Sequence, residues 1–201
     1  MAELAPSQFR VPSSEFQLSH SDNNIKCLSL LSAETIFSHV KHLQIMQNRT
    51  IEIKYKQYPS PDALPAEERD ILQKAIDATA TAYSPYSHFC VGAAVLLANG
   101  ATVTGSNQEN VAYPSGLCAE RTAMFAASAQ YPKVPMRKIA IVGKNAEGEL
   151  CAATPCGACR QVMSEYQDVA GENIEIILYS EGGTVLVFDG IDTLLPLRFS
   201  F

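Results

Sequence analysis

Three common features are absent from this 201-residue sequence. No apolar run is long enough to span a bilayer, and no charged-then-apolar leader is visible, so we expect neither a membrane protein nor an exported one. Basic residues are not in excess either, because the formal net charge is −6. A binding surface for a polyanion is therefore not expected. These absences favour a cytoplasmic protein that acts on a small molecule and binds neither nucleic acid nor a membrane.

The composition is that of an ordinary globular protein, with 47% hydrophobic and 18% charged residues. It favours one domain, which we place at residues 46–201. Residues 1–45 include a stretch rich in Ser, Pro, Gln and Asn. We predict a loosely ordered extension of unknown role, and Met46 stands where a chain without it could begin. A short helical pattern there carries His39 and His42, which no cysteine or carboxylate cluster accompanies, so we interpret both as surface residues.

Hydrophobic periodicity beyond the extension predicts the order β, α, β, β, α, β, α, β, β. Strands are predicted at residues 51–56, 89–97, 101–106, 138–143, 173–179 and 184–188. Asn99-Gly100 is a strong hairpin signal between two of them. The apolar stripe predicted for the first of these helices is Leu72, Ala75, Ile76 and Tyr83. Strands that alternate with helices around one sheet indicate an α/β protein, a three-layer α/β/α sandwich with a central mixed sheet.

Three cysteines and one glutamate form the most informative pattern in the chain. Cys118 is followed two residues later by Glu120, and Cys156 and Cys159, three apart, come directly after Pro155. Three thiolates can hold zinc with its fourth coordination position open to water, and a carboxylate beside them can move that water's protons. The pattern therefore indicates a catalytic zinc site rather than a structural one.

Both ligand groups are predicted to open a helix. The first-turn N–H groups and the positive end of the helix macrodipole lower the pKa of a cysteine, and metal binding requires the thiolate. A lone Cys-x-x-Cys pair could instead be a redox pair or half of a structural zinc knuckle. Neither alternative accounts for Glu120. The remaining cysteines, Cys27, Cys90 and Cys151, are interpreted as free thiols.

Two arginines flank the predicted ligands. Three thiolates give a zinc centre a net negative formal charge, which weakens the metal as a Lewis acid. Arg121, next to Glu120, and Arg160, next to Cys159, could offset this charge by donating hydrogen bonds to the sulfur atoms. A surface ion pair is the alternative for either arginine.

The flanking residues extend this pattern to a known family. Cys118-Ala119-Glu120 and Pro155-Cys156-Gly157-Ala158-Cys159 match the signature H-x-E…P-C-x-x-C of zinc-dependent nucleobase deaminases, with cysteine in place of the histidine. From about residue 74 to residue 199 the chain resembles the small, homotetrameric cytidine deaminases. The stretches that match that family in order are Ser84-Pro85-Tyr86-Ser87-His88-Phe89, Asn107-Gln108-Glu109-Asn110, Tyr113-Pro114, Cys118-Ala119-Glu120-Arg121-Thr122-Ala123 and Pro155-Cys156-Gly157-Ala158-Cys159-Arg160-Gln161-Val162.

The resemblance implies a fold and a set of site residues. The fold is the three-layer sandwich with a five-stranded mixed sheet. One zinc ion per chain is bound by Cys118, Cys156 and Cys159, and Glu120 carries protons between the attacking water and the base. The residues implied to bind substrate are Phe89 against the pyrimidine, Asn107 and Glu109 at the ribose hydroxyl groups, Ala119, the backbone carbonyl of Thr154 at the leaving amino group, and Phe199. For Phe89, the alternative is a place in the core at the start of a strand.

The activity implied is hydrolytic deamination of free cytidine and deoxycytidine to uridine and deoxyuridine with release of ammonia, a reaction of pyrimidine salvage. Two rival substrates stay open. A cytosine nucleoside antibiotic would suit nearly every motif, whereas a polynucleotide would need an open, basic groove, which the net charge of −6 disfavours. The tail of residues 194–199 matches the family's last stretch and implies a homotetramer in which Phe199 reaches the substrate of a neighbouring subunit. Packing of Phe199 on its own core is the alternative.

Overall fold

The computed structural model describes residues 47–200. The extension of residues 1–45, the pattern with His39 and His42, Cys27 and the alternative start at Met46 therefore lie outside the described residues. Residues from Thr50 onward form a compact unit of their own. Between residues 47 and 200, no helix is long and apolar enough to cross a membrane.

Strands and helices follow one another in the predicted order, with one short strand added. The strands are β1 (Lys56–Tyr58), β2 (Cys90–Leu97), β3 (Thr102–Ser106), β4 (Met136–Lys144), β5 (Leu150–Cys151), β6 (Glu175–Tyr179) and β7 (Val185–Asp189). The helices are α1 (Ala66–Ala78), α2 (Ala119–Gln130) and α3 (Gly157–Ala170). The hairpin between β2 and β3 is confirmed, and Gly100 takes a positive φ of 84° at its turn, a conformation that glycine adopts without strain.

The seven described strands form one sheet in the order β1-β7-β6-β4-β2-β3, with β5 paired to β4. β4 and β6 run parallel, and the other described pairs are antiparallel. The mixed sheet confirms the predicted class, but the structure has seven strands, whereas the periodicity predicts six and the resemblance implies five. The difference arises because β1 adds an edge beyond β7 and the two-residue β5 pairs with the end of β4. Strands this short leave little periodicity in a sequence.

Helices cover both faces of the sheet, which gives the predicted three layers. On one face, α1 buries Leu72 and Ala75 against β2, β4 and β6. On the other face, α2 and α3 pack through Met124 and Met163, which are both fully buried. The close approach of α1 depends on Gly92 in β2, because a Cβ there would lie 2.0 Å from the carbonyl oxygen of Ala75.

The strand predicted at residues 51–56 is wrong in its position. Only Lys56–Tyr58 pairs with β7, and the preceding Ile51 and Ile53 are 56% and 50% exposed. Their alternation with polar residues meets no partner strand among residues 47–200. Period-two alternation therefore did not by itself produce a strand here.

Tyr83 does not belong to the buried stripe of the first helix. α1 ends at Ala78, and Tyr83 is 55% exposed. Its backbone N–H donates to the carbonyl of Asn107, and its carbonyl accepts from the N–H of Glu109. These two bonds hold Tyr83 in extended chain beside the end of β3, so a long-range contact overrides the helical spacing.

Lys138 in β4 is buried among carboxylates. Its Nζ donates to Glu68 and forms ion pairs with Glu67 at 3.0 Å and Glu175 at 2.9 Å, and only 11% of its side chain is exposed. Burial raises the pKa of Glu68, but the hydrogen bonds to its carboxylate and the charge of Lys138 together outweigh burial, so that pKa lies below its ordinary value. Burial lowers the pKa of Lys138, yet the bonds to Glu68 and Glu175 raise it overall. The charged cluster connects α1 to β4 and β6.

Replacing Lys138 with methionine is expected to lower the free energy of unfolding by about 1–3 kcal/mol at neutral pH, because partly buried carboxylates lose their donor. A carboxyl whose pKa is lowered by folding contributes stability while it is ionised, and that contribution is lost as the pH falls through its folded pKa. The difference in unfolding free energy between wild type and Lys138→Met should therefore become smaller as the pH falls below the ordinary pKa range of glutamate. Urea unfolding at neutral and acid pH measures both effects. Arg137→Met, at the exposed neighbouring position, is the control, and an equal loss there would contradict the assignment.

Candidate active site

The structure brings the three predicted ligands together. Cys118 Sγ lies 3.9 Å from Cys156 Sγ, and Cys156 Sγ lies 3.4 Å from Cys159 Sγ. All three sulfur atoms are within 4.8 Å of one another. Among the His, Cys, Asp and Glu side chains of residues 47–200, these cysteines form the one group placed to hold a metal ion.

Both ligand groups begin a helix, as the sequence predicts. Cys118 is the N-cap of α2, Cys156 is the N-cap of α3, and Cys159 lies in the first turn of α3. The N-terminal ends of two helices therefore meet at the sulfur cluster. Their macrodipoles and first-turn N–H groups favour negative charge at this point. The local sequence thus prepares the site for thiolates before any metal binds.

The thiols of the cluster differ strongly in acidity. The pKa of Cys118 falls to about 5, because Cys159 donates a hydrogen bond to its sulfur and Arg121 donates another. The pKa of Cys159 is raised, because its thiol is the donor in that bond and is buried. In the protein without metal, these hydrogen bonds favour the thiolate form of Cys118. The proton on Cys159 must leave when a metal ion binds.

The sulfur positions fit zinc. Zn–S bonds of about 2.3 Å in a tetrahedral site place sulfur atoms about 3.8 Å apart, and the observed separations of 3.4 Å and 3.9 Å lie close to this value. Cys159 is fully buried whereas Cys156 is exposed, so the cluster is closed towards the protein and open on its other side. Three protein ligands and one open side are the arrangement of a catalytic zinc site.

Glu120 lies in the first turn of α2, with only 4% of its surface exposed. Burial raises the pKa of its carboxyl, and the negative charge of Cys118 raises it further, while a hydrogen bond from a backbone N–H and the charge of Arg121 oppose the rise. A carboxyl whose pKa is moved towards neutrality can both accept and release a proton. Its position beside the sulfur cluster suits the predicted proton carrier.

The two arginines have different partners. Arg121 Nη2 donates to Cys118 Sγ at 3.7 Å, and its Nε is buried without a hydrogen-bond partner among the described residues. Arg160 departs from the prediction, because its Nε and Nη1 donate to the backbone carbonyls of Pro155 and Leu194, both at 2.8 Å. These carbonyls occupy the donors that were expected at sulfur. Arg160 instead connects the loop before Cys156 to the C-terminal segment.

A cavity of about 410 Å³ borders the sulfur cluster, with Cys118, Cys156 and Glu120 on its wall. The other predicted residues on that wall are Phe89, Asn107, Glu109, Ala119 and Thr154. A second cavity of about 490 Å³ adjoins the first and is lined in part by Arg121. The predicted pyrimidine and ribose contacts therefore share one concave space with Cys118, Cys156 and the carboxyl of Glu120.

Asn107 and Glu109 also support the loop that leads into β2. Asn107 Nδ2 donates to the carbonyl of Phe89 at 2.8 Å, and its Oδ1 accepts from the N–H of Val91 at 2.7 Å. Glu109 Oε2 accepts from the N–H groups of Tyr86 and Ser87 at 2.9 Å and 3.3 Å. Hydrogen bonds from Ser87 and the Tyr86 N–H lower the pKa of Glu109. Both side chains are thus positioned by backbone groups.

Phe199 lines neither cavity of its own chain. Its carbonyl accepts from Gln161 Nε2 at 3.0 Å, and its side chain is 66% exposed. The preceding Arg198 forms ion pairs with Asp168 at 2.6 Å and Asp192 at 2.8 Å. These bonds hold the tail along α3. The exposed ring argues against the alternative that Phe199 packs in its own core.

Four residues of the main cavity wall were not among the predicted site residues: Ser87, Val91, Ala152 and Ala153. Ser87 lies inside a stretch that matches the family, and the two alanines come directly before Thr154. Their closeness to predicted residues along the chain was the available signal. Small residues on loops and strand ends have no distinctive pattern, so only the tertiary structure identifies them.

Known proteins with similar sequences support a zinc-binding deaminase site at these residues. A family model described as the cytidine and deoxycytidylate deaminase zinc-binding region matches residues 65–170. This range includes the cysteine cluster and Glu120. A cytidine deaminase from Halalkalibacterium halodurans is 43% identical over 95 residues, which cover 47% of this chain and 68% of the relative.

Solved structures of cytidine deaminases share the fold of this chain. The structure of a cytidine deaminase from Burkholderia pseudomallei matches with a TM-score of 0.56 and 36% identity, and covers 68% of this chain and 100% of that chain. The structure of a cytidine deaminase from Mycobacterium tuberculosis matches with a TM-score of 0.54 and 32% identity, with the same coverage of 68% and 100%.

Proposed function

Because the chain belongs to the family of cytidine and deoxycytidylate deaminases, we propose that it is a zinc-dependent hydrolase that deaminates free nucleosides. Its substrates are cytidine and deoxycytidine, and its products are uridine or deoxyuridine and ammonia. One observation carries the proposal: the buried carboxyl of Glu120 stands beside a three-cysteine cluster on the wall of a cavity that also contains Phe89.

The chain's own residues supply the proton transfers. Cys118, Cys156 and Cys159 would hold one zinc ion, which supplies a nucleophilic water at neutral pH. Glu120 takes a proton from the attacking water and passes it to N3 of the cytosine ring, and the water oxygen bonds to C4. Glu120 then moves the second proton of that water to the exocyclic amino group. The C4–N bond breaks, ammonia leaves and C4 becomes the carbonyl of the product.

The other residues of the cavity orient the nucleoside. Phe89 packs on the pyrimidine ring, and Asn107 with Glu109 binds the ribose hydroxyl groups. A carboxylate has about four lone-pair sites, so the two backbone donors that Glu109 already accepts leave capacity for a hydroxyl. The carbonyl of Thr154 accepts from the leaving amino group. Arg121 offsets the negative charge of the thiolates, which its hydrogen bond to Cys118 supports.

A substrate comparison tests the proposal. Loss of cytosine absorbance and release of ammonia are followed with cytidine, deoxycytidine, CMP, a single-stranded oligonucleotide and a cytosine nucleoside antibiotic. We expect turnover of the two free nucleosides and little or none of the oligonucleotide. A marked preference for the antibiotic would move the substrate assignment to that class. Absence of turnover with every cytosine compound would overturn the proposed function.

A homotetramer with shared sites belongs to the same proposal. Its support is the exposed ring of Phe199, held along α3 and outside the cavities of its own chain. In the tetramer this ring would help to enclose the substrate of a neighbouring subunit. Excluding water from the cavity strengthens electrostatic interactions at the reacting atoms.

Mixed subunits are expected to test this arrangement directly. Phe199→Ala and Glu120→Gln chains, each weak alone, are refolded together. Some sites will then combine an intact Glu120 with an intact Phe199 of the neighbouring chain, so activity should exceed the sum of the separate enzymes. Refolding each variant with itself is the control. A mixture that shows only the average of its parents, or a monomer by light scattering, would contradict shared sites.

A cytoplasmic location, a role in pyrimidine salvage and a catalytic domain at residues 46–201 complete the proposal. The location is supported by the cluster of three cysteines without a disulfide bond, because a reducing compartment keeps such thiols available for a metal. The domain boundary is supported by the compact unit that begins at Thr50.

A further inference from the structure

β4 carries no side chain at the point where the ring of Phe89 meets it. Gly143 is buried and pairs with Val91 of β2 and Cys151 of β5. A Cβ built on Gly143 would lie 2.8 Å from Phe89 Cζ and 3.0 Å from Cys151 Sγ. The φ angle of Gly143 is not positive, so the backbone does not require glycine. The absence of a side chain at Gly143 instead leaves space for the tip of the Phe89 ring.

The backbone of Phe89 is held by its neighbours. Its carbonyl accepts from Asn107 Nδ2 at 2.8 Å, and its N–H donates to Ser87 Oγ at 3.1 Å. The N–H of Val91, two residues later, donates to Asn107 Oδ1 at 2.7 Å. With the backbone held, the ring moves chiefly by rotation about its side-chain bonds. The position of the ring in the cavity therefore depends on which atoms lie against its Cζ atom.

The other neighbour of Gly143 leaves little room for adjustment. The carbonyl oxygen of Cys151 would lie 3.1 Å from an added Cβ, and pairing of β5 with β4 holds this backbone. A methyl group at residue 143 would be accommodated mainly by movement of the Phe89 ring, whose Cζ is the far end of a side chain. The sheet would keep its hydrogen bonds while the cavity wall moves.

We propose that Gly143 is a positioning residue for the substrate, because the space it leaves for the tip of Phe89 sets the depth of the pocket for the pyrimidine ring. This inference rests on the proposed function, since it takes Phe89 as the residue that packs on the base. A side chain at residue 143 would push the ring into the cavity. Nucleoside binding would weaken, while the sulfur cluster and Glu120 would keep their positions.

Gly143→Ala is expected to raise the KM for cytidine and the Kd for uridine, the product, by about tenfold, the scale of one methyl group in an apolar pocket. Titration calorimetry with uridine gives a readout independent of turnover. The value of kcat and the zinc content should change little. Gly148→Ala is the control, because Gly148 has a φ of 84° in open space, outside the cavity wall. Alanine there should lower the thermal midpoint and leave KM as in wild type.

A double variant tests whether the effect passes through Phe89. Phe89→Leu removes the Cζ atom, so adding Gly143→Ala to it should change KM by less than about twofold, as non-additivity of contacting residues requires. A wild-type KM and Kd in Gly143→Ala, or the full effect in the Phe89→Leu background, overturns the inference. If wild type deaminates cytidine and Gly143→Ala behaves like it, only this inference fails. If wild type lacks the activity, the proposed function fails as well.

Discussion

Replacing Glu120 with glutamine is expected to lower the turnover of cytidine by at least about 100-fold, the usual scale for loss of a general acid–base group. Zinc content should stay near that of wild type. Glutamine has nearly the same shape as glutamate, but it cannot take a proton from the attacking water. The two measurements separate a proton carrier from a metal ligand, because loss of a ligand would remove the zinc as well.

The environment of Glu120 supports this expectation. Its carboxyl is buried beside Cys118 and Cys159, and burial raises its pKa. An exposed carboxyl at the same distance would release its proton more readily and would be a weaker acid–base catalyst near neutral pH. Glu165→Gln, an exposed position in α3, is the matched control and should keep wild-type turnover. Loss of zinc in Glu120→Gln would assign Glu120 to the metal, and unchanged turnover would remove it from the mechanism.

Replacing Cys159 with serine is expected to abolish stoichiometric zinc binding and with it nearly all activity. Cys159 is the fully buried member of the cluster, so no water can easily take its place. A ligand that binds only the folded state stabilises it by about 4 kcal/mol at a free concentration 1,000-fold above its Kd. The variant should therefore unfold more easily than wild type, and a chelator should destabilise wild type but not the variant.

Metal analysis and chelator-dependent thermal unfolding measure these effects together. Cys90→Ser is the control, because Cys90 is a half-buried thiol outside the cluster, in contact with Ser84. We expect close to one zinc per chain in wild type and in this control. Zinc affinity should fall as the pH is lowered, since binding must displace the proton that Cys159 retains. Full activity in metal-free wild type would contradict the zinc centre.

The three clustered cysteines and the buried carboxyl of Glu120 could be singled out from the sequence because their signals are local. Cys118 and Glu120 are two residues apart, and Cys156 and Cys159 are three apart, each group at the start of a helix. Periodicity identified α1 and most strands, since the apolar pattern reflects which face of each element is buried, and the two cysteine motifs placed the starts of α2 and α3. The three-layer architecture follows from that alternation.

Long-range contacts decided the features that the sequence did not reveal. The strand expected at residues 51–56 lies instead at Lys56–Tyr58, because only these residues pair with β7. Arg160 donates to the carbonyls of Pro155 and Leu194, one of them 34 residues away, instead of to sulfur. The residues next to Arg160 in the sequence give no indication of such a distant partner.

The amino-acid sequence by itself determined which residues are candidates to bind a metal, which carboxyl is the candidate proton carrier and which helices present them, because each of these assignments depends on spacing within a few residues. The tertiary structure alone decided that Glu120 is buried, that Asn107 holds the backbone of Phe89, and that the space for the ring of Phe89 comes from Gly143, 54 residues further along the chain. Burial and close approach depend on which distant segments pack together, and that is settled only when the sheet and its helices assemble.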